Sequence, residues 1–418
     1  MSKIKIKNFG PIKEGYLEND GWLDIKKVTV FIGNQGSGKS TVAKLISSFT
    51  WIEKALVRGD YSKEWFSKRN NLKKQFLNYH RIENYIKTDD ELFPSCEIDY
   101  IGDAYHIKYY SGKLTIKEII KSKYPLPQIM YVPAERNFIS YVENPQALKQ
   151  ISDSLLEFVT EFEKAKKALK EPMRLPINNV EVEYDEFRNL VLIKGTDYEL
   201  KLTDASSGFQ SLVPLYLVSW FLANSVKKQS EIAKEPMSSE ETERFRKGVA
   251  EIWANESLTD EQRRIALSVL SSKFNKTAFV NIVEEPEQNL FPASQWEMLK
   301  SLLEFNNMNA GNKLIMTTHS PYVINYLSIA IQAYYLYDKV MNSNREVSDY
   351  LVRISKIVPF KSMVSASDVA IYQLDEKTGT IFKLPAYKGI PSDKNYLNMS
   401  LSEGNLLFDS LLEIEEDI

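Results

Sequence analysis

Gly33-Asn34-Gln35-Gly36-Ser37-Gly38-Lys39-Ser40-Thr41 fits the pattern G-x-x-x-x-G-K-[ST]. The apolar run Val28-Thr-Val-Phe-Ile32 precedes it and reads as a short buried strand. A helical pattern follows over 40–55, with Val42, Leu45, Ile46, Phe49 and Ile52 at apolar spacing. Strand, glycine-rich loop and helix form the order a phosphate site needs. The glycines let successive N–H groups turn inward onto phosphate oxygens. The helix N-terminus points its positive end at the same oxygens. Lys39 reaches the β- and γ-phosphates, and the Ser40 hydroxyl is placed to ligate Mg²⁺. Three of the 16 glycines fall between 33 and 38, which favours a dedicated loop over a chance turn.

Three further stretches put polar chemistry at the ends of apolar segments. The strand Phe279-Val-Asn-Ile-Val283 ends in Glu284-Glu285-Pro286-Glu287. Side chains alternate between the faces of a strand, so Glu284 and Glu285 point differently. Adjacent carboxylates on a buried strand are costly unless they serve a metal or a helix terminus. Glu284 is expected beside Mg²⁺, through water, and Glu285 is expected to polarise an attacking water as general base. Leu314-Ile-Met-Thr-Thr318 leads into His319, which is expected to hydrogen-bond a γ-phosphate and report its hydrolysis. The bland alternative is a satisfied buried histidine. Asp204-Ala-Ser206-Ser207-Gly208-Phe209-Gln210-Ser211 opens an apolar helix. Ser207 and Gly208 there form a second anion-binding helix end, with simple N-capping as the alternative.

The 418 residues are 43% hydrophobic, enough for a large core over roughly two or three domains. A net charge of −3 speaks against a constitutive nucleic-acid binder. Basic clusters are local, at Lys68, Arg69, Lys73, Lys74, Lys121 and Lys123. The single cysteine, Cys96, excludes a disulfide framework and a cysteine-rich zinc site. Met1–Phe9 alternates like a strand and lacks the apolar core of a signal peptide. Segments 211–226 and 322–337 are too short or too interrupted to span a bilayer and read as buried helices. A cytoplasmic protein with no membrane partner is expected.

The order of patterns predicts an α/β fold in four parts. Residues 1–136 form a first lobe with the phosphate loop and an antiparallel β subdomain over 96–120. Residues 137–275 form a helical lobe, with a β-meander at 179–202 and a polar helical insertion at 227–275. Residues 276–330 return to the core. Residues 331–418 form a tail with a hairpin (369–374, 380–384) and a last helix near 400–415.

Phosphate loop, Ser-Gly helix start, carboxylate strand and histidine strand occur in an order that resembles the ABC ATPase superfamily. Within it, the chain is similar to the RecF/SMC/OLD-like branch of stand-alone ATPases, several of which serve bacterial anti-phage systems. The stretches that carry this are Ile6-Lys-Asn8-Phe9-Gly-Pro-Ile12, Glu284-Glu-Pro-Glu-Gln-Asn-Leu290-Phe-Pro292 and Thr318-His-Ser-Pro-Tyr322. The resemblance implies a P-loop fold of ABC type with a helical signature lobe, ATP and Mg²⁺ as cofactors, and a homodimer or higher oligomer. Ser207 and Gly208 match the Ser-Gly of the signature and would close over ATP bound to a partner copy. Ala134-Glu135-Arg136 stands where that superfamily has a glutamine, so Glu135 or Arg136 takes its place, Glu135 as a candidate metal contact. Asn8 and Phe9 are candidate neighbours of adenine, with core packing the equal alternative for Phe9. Glu284 replaces the usual Asp, and Phe209 the second signature glycine; both make a transporter subunit the least favoured reading.

The function so implied is a sensor ATPase of an anti-phage defence system that controls a separate protein effector. The alternative is a RecF-like clamp that binds DNA directly. The 137–205 linker is too short for a long coiled coil, and residues 331–418 hold no Asp-x-Asp pair of a nuclease domain.

Overall fold

The computed structural model describes residues 2–68, 71–86, 95–119, 124–141, 151–232, 239–259, 262–263, 266–267, 270, 277–343 and 348–416. The first lobe contains β1 (Ser2–Lys7), β2 (Gly15–Tyr16), β3 (Leu23–Ile25), β4 (Val28–Gly33), α1 (Lys39–Arg58), α2 (Lys63–Ser67), β5 (Glu97–Ile101), β6 (Tyr105–Tyr110), β7 (Lys113–Glu118) and β8 (Pro127–Val132). Next come α3 (Asp153–Ala168), β9 (Met173–Arg174), β10 (Glu181–Asp185), β11 (Leu190–Lys194), β12 (Glu199–Lys201), α4 (Ser207–Ile232) and α5 (Ser239–Ala254). The chain continues through β13 (Ala278–Glu284), α6 (Pro292–Asn307), β14 (Lys313–Thr318), α7 (Pro321–Met341), α8 (Ser348–Ile357), β15 (Val369–Leu374), β16 (Thr380–Lys383) and α9 (Tyr396–Glu416).

The central sheet has seven strands in the order β2-β16-β15-β4-β14-β13-β8. From β15 to β8 its neighbours run parallel. Every residue of β4, β8 and β13 is buried. That follows from cover on both faces, which turns strand alternation into continuous apolar runs. One face, through Val28, Val30 and Ile32, packs on α3, α4, α6 and α7. The other, through Phe31, Ile282 and Ile315, packs on α1 and the antiparallel sheet β3-β1-β5-β6-β7. That second sheet is covered on one side, and β1 accordingly alternates buried and half-buried residues.

α2 ends at Lys68, whose backbone is extended (φ −63°, ψ 138°). A π-helical turn at Leu72–Leu77 and a 3₁₀ turn at Asn78–His80 follow, ended by left-handed Arg81 (φ 55°), before a further 3₁₀ turn at Glu83–Tyr85. The hairpin expected at 369–374 and 380–384 forms as β15 and β16, and β15 also pairs in parallel with β4 from Val369–Val28 to Leu374–Gly33. The tail thus contributes a strand beside the phosphate loop. Arg69, Lys121 and Lys123 of the basic clusters lie outside the described residues. α4 is long and apolar enough to cross a membrane, but 67% of its apolar window is buried in the fold.

Candidate active site

The loop from β4 to α1 turns through Gly33, Gly36 and Gly38, all at positive φ (148°, 77° and 100°). A Cβ on Gly33 would sit 2.4 Å from the Leu374 carbonyl oxygen, and one on Gly38 3.0 Å from Pro11 Cγ. Only glycine gives the backbone this path. Asn34, Gln35 and Gly36 are exposed, Ser37, Lys39 and Thr41 are buried, and Ser40 is half-buried at the start of α1. The Lys39 ammonium donates to the carbonyls of Gly33 (2.9 Å) and Asn34 (2.8 Å). Burial lowers its pKa to about 8, against the opposing pull of Glu285, Glu287, Glu284 and Glu376.

β13 and β14 lie side by side with Glu284 opposite Thr317. The residues just beyond both strand ends therefore meet, and His319 Nε2 lies 3.5 Å from Glu285 Oε1. Glu284 is buried. Its Oε2 accepts from the Ala134 N–H (3.2 Å), while Oε1 has no hydrogen-bond partner among the described residues. Glu285 leaves the strand in a left-handed conformation (φ 45°), an outlier that stores strain in a non-glycine residue. Its N–H donates to the Thr317 carbonyl (2.9 Å). Burial, then Lys39, lowers the His319 pKa despite Glu285, so the ring is neutral at pH 7.

Two positioning residues emerge: Glu287, to which the sequence reading gives no role, and Arg136, which it sets only as an alternative to Glu135. Glu287 is half-buried and accepts from the His319 backbone N–H (2.7 Å), with burial of its carboxyl raising its pKa. Arg136 is fully buried. Its Nη1 donates to the carbonyls of Glu284 (2.7 Å) and Pro133 (3.3 Å), Nη2 to that of Glu285 (2.6 Å) and Nε to that of Ser211 (3.1 Å). One side chain thus ties both carboxylate positions to the first turns of α4. With all its nitrogens engaged on carbonyls, Arg136 is no water or metal contact. Glu135, by contrast, is exposed. The signal available in the sequence was the stretch Pro133-Ala-Glu-Arg136 itself.

The donor set suits Mg²⁺ carried by phosphates. A buried carboxylate oxygen without a partner, Glu284 Oε1, is costly unless something covers it. Among the described residues no group of three or more His, Cys, Asp or Glu side chains forms a metal cage. Mg²⁺ needs none, because it keeps waters and uses one or two protein oxygens plus substrate phosphates.

Ser207 begins α4 and is exposed; Gly208 packs on the loop after Glu285, where a Cβ would meet the Asn289 carbonyl oxygen at 3.0 Å. Asn289 in turn donates to Ser211 Oγ (3.0 Å). Phe9 is fully buried, with the Tyr85 ring edge-on at 5.7 Å, and so has no face open to a base. The tight turn closed by the Phe9–Ile12 bridge drives that ring into the core. Asn8 sits at φ 53° with its amide on the Ser95 carbonyl (3.2 Å). Beside the phosphate loop, Glu376 from the β15–β16 turn accepts from Asn34 Nδ2 (3.1 Å). No pattern in the sequence marks this contact.

Fold and site define an α/β P-loop ATPase fold. The family model for an AAA ATPase domain matches residues 260–324. Among solved structures, the chain is similar to an SMC head domain from Thermotoga maritima (12% identity, TM-score 0.37, covering 92% of this chain and 98% of that one). It is also similar to an Smc head with an extended coiled coil, bound to the C-terminal domain of ScpA derived from Pyrococcus furiosus (10% identity, TM-score 0.35, 98% and 100%). A third likeness is to a dimeric ATP-binding cassette in a post-hydrolysis state with ADP and Pi (11% identity, TM-score 0.24, 93% and 100%). No curated protein matches the sequence.

Proposed function

We propose that the chain hydrolyses ATP as a dimer, each nucleotide held between the phosphate loop of one copy and the Ser207 helix end of the other. The observation that carries the reading is the convergence of Glu285 and His319, 3.5 Å apart, just beyond the C-terminal ends of β13 and β14, with β14 paired to the strand β4 whose loop leads to Lys39. Lys39 exchanges the loop carbonyls for β- and γ-phosphate oxygens. Mg²⁺, when bound with ATP, offsets phosphate charge; Ser40 and Glu284 would hold it, with exposed Glu135 as a further candidate. Glu285 takes a proton from water as the water oxygen bonds to the γ-phosphorus and the bond to the ADP oxygen breaks. The proton then passes to the departing phosphate. The neutral His319 ring donates one N–H to the γ-phosphate, and Glu287 fixes its backbone. The exposed Ser207–Gly208 end supplies N–H groups and a hydroxyl to the partner's γ-phosphate.

The biological role we propose is a sensor ATPase of an anti-phage defence system, switching a separate effector. The RecF/SMC/OLD-like motifs support it. The test is ATP turnover of purified protein beside phage resistance in cells. Lys39→Ala and Glu285→Gln are expected to abolish both. Full resistance with either variant overturns the regulatory role, and undiminished turnover in Glu285→Gln overturns the site.

A further inference from the structure

Among the described residues, exposed large apolar side chains gather in two places. Ten lie between Tyr322 and Phe360, on α7, α8 and the turn after them, and seven lie between Met399 and Ile414 on α9. The others are scattered along the chain, as is ordinary for a protein surface. On α9 every residue from 402 to 415 is exposed, with Leu407 70%, Phe408 61% and Leu411 63% open to water. At helical spacing, Leu407, Phe408, Leu411 and Leu412 form one exposed apolar stripe, beyond Leu397, which packs on the core. A helix of this length standing free in water is marginal by itself. An exposed apolar face of this size marks an interaction site.

We propose that α9 is an assembly arm that docks on the α7–α8 hairpin of a second copy of this chain. Two observations choose that occupant. The first is charge. Residues 396–418 contain Glu403, Asp409, Glu413, Glu415, Glu416 and Asp417 and no Lys, Arg or His. Pairing α9 with α9 would therefore set like charges along one seam. The α7–α8 hairpin instead places exposed Lys339, Arg353 and Lys356 around exposed Tyr335, Ile357 and Phe360. Over 321–361 the sequence carries Lys339, Arg345, Arg353, Lys356 and Lys361 against Asp338, Glu346 and Asp349, so this stretch is net positive. The second is area. Four large apolar side chains on the stripe, Leu407, Phe408, Leu411 and Leu412, each offer on the order of 100 Å². Two reciprocal dockings, counting arms and hairpins, bury more than the roughly 1,200 Å² of a stable interface.

The arm is rooted at the nucleotide edge. The Tyr396 N–H donates to Gln373 Oε1 (2.9 Å) and the Tyr396 hydroxyl to Asp375 (2.9 Å). The next residue, Glu376, holds Asn34 of the phosphate loop. Arm and loop thus share one short turn. Docking needs no nucleotide and stands apart from the ATP sandwich.

The test is mass in solution by light scattering, without nucleotide, on the full chain. The natural chain is expected to be dimeric or larger, and Leu407→Ser/Phe408→Ser/Leu411→Ser to self-associate at least tenfold more weakly, with an unchanged thermal transition of the folded core because these side chains are exposed in the monomer. Arg353→Glu/Lys356→Glu is expected to weaken assembly likewise. Adding Glu413→Lys/Glu415→Lys to that variant is expected to restore it. Ser207→Arg leaves this assembly intact, which separates it from the sandwich. A natural chain monomeric without nucleotide, or a triple variant of undiminished mass, overturns the arm. Loss in the triple variant with no effect of the hairpin reversal overturns the docking site.

Discussion

The phosphate-loop edge and the Ser207 helix end differ in how their polar groups are used. At the first, Lys39 holds two loop carbonyls, Glu287 holds the His319 backbone, and Arg136 holds the carbonyls of both carboxylate residues. At the second, Ser206 and Ser207 are exposed at the mouth of a helix whose next turns are packed. One half is preorganised within a single copy and the other is presented outward. Arg136 joins the halves, since the same guanidinium that fixes Glu284 and Glu285 also binds Ser211 of α4. The difference teaches that binding should need only the first half, whereas hydrolysis needs both.

The largest effect is expected at Glu285. Glu285→Gln should cut kcat by roughly 10²–10⁴-fold, the usual worth of a positioned general base, with ATP still bound; steady-state turnover beside nucleotide binding checks this. Arg136→Gln comes next. It strips donors from buried carbonyls and should cost about 3 kcal/mol of stability, read by denaturant unfolding. Turnover should fall with it, because the carboxylates lose their tie to α4. Ser207→Arg should lower kcat by roughly 10²-fold, as for loss of one charge-stabilising donor, and leave KM for ATP nearly unchanged. An equal loss of ATP binding would put Ser207 in its own copy's site and break the contrast between the halves.

A smaller effect is expected from pH. Burial puts Lys39 near 8, and phosphates need its ammonium form. The protonated form dominates below that value and is lost above it, so KM for ATP should rise as pH climbs through 8, by up to about tenfold per unit. A KM flat to pH 10 contradicts this. The smallest is Phe9→Leu, expected to cost about 1 kcal/mol as a core substitution. KM should not change, since the ring is sealed against Tyr85.

What was legible in the sequence is what local chemistry dictates. The glycines at 33, 36 and 38, the run 279–285 and the run 314–319 each carry both a conformation and a reactive group, and the structure sets them on neighbouring strands. What was not legible depends on distant pairing. β15 lies beside β4 although more than 300 residues separate Val28 from Val369. That pairing, not any motif, brings Glu376 to Asn34. Of the two readings left open for Phe9, core packing is the one the structure takes, because the local 8–13 turn folds the ring inward. Arg136 was read as an alternative to Glu135, when the two point in opposite directions and do different work.

The most direct measurement is the mass, by light scattering with and without ATP and Mg²⁺, of Glu285→Gln with the arm disabled by Leu407→Ser/Phe408→Ser/Leu411→Ser, beside the same chain carrying Ser207→Arg. A nucleotide-dependent gain in association that Ser207→Arg abolishes is the expected result. Association indifferent to ATP and to Ser207 would contradict the shared nucleotide.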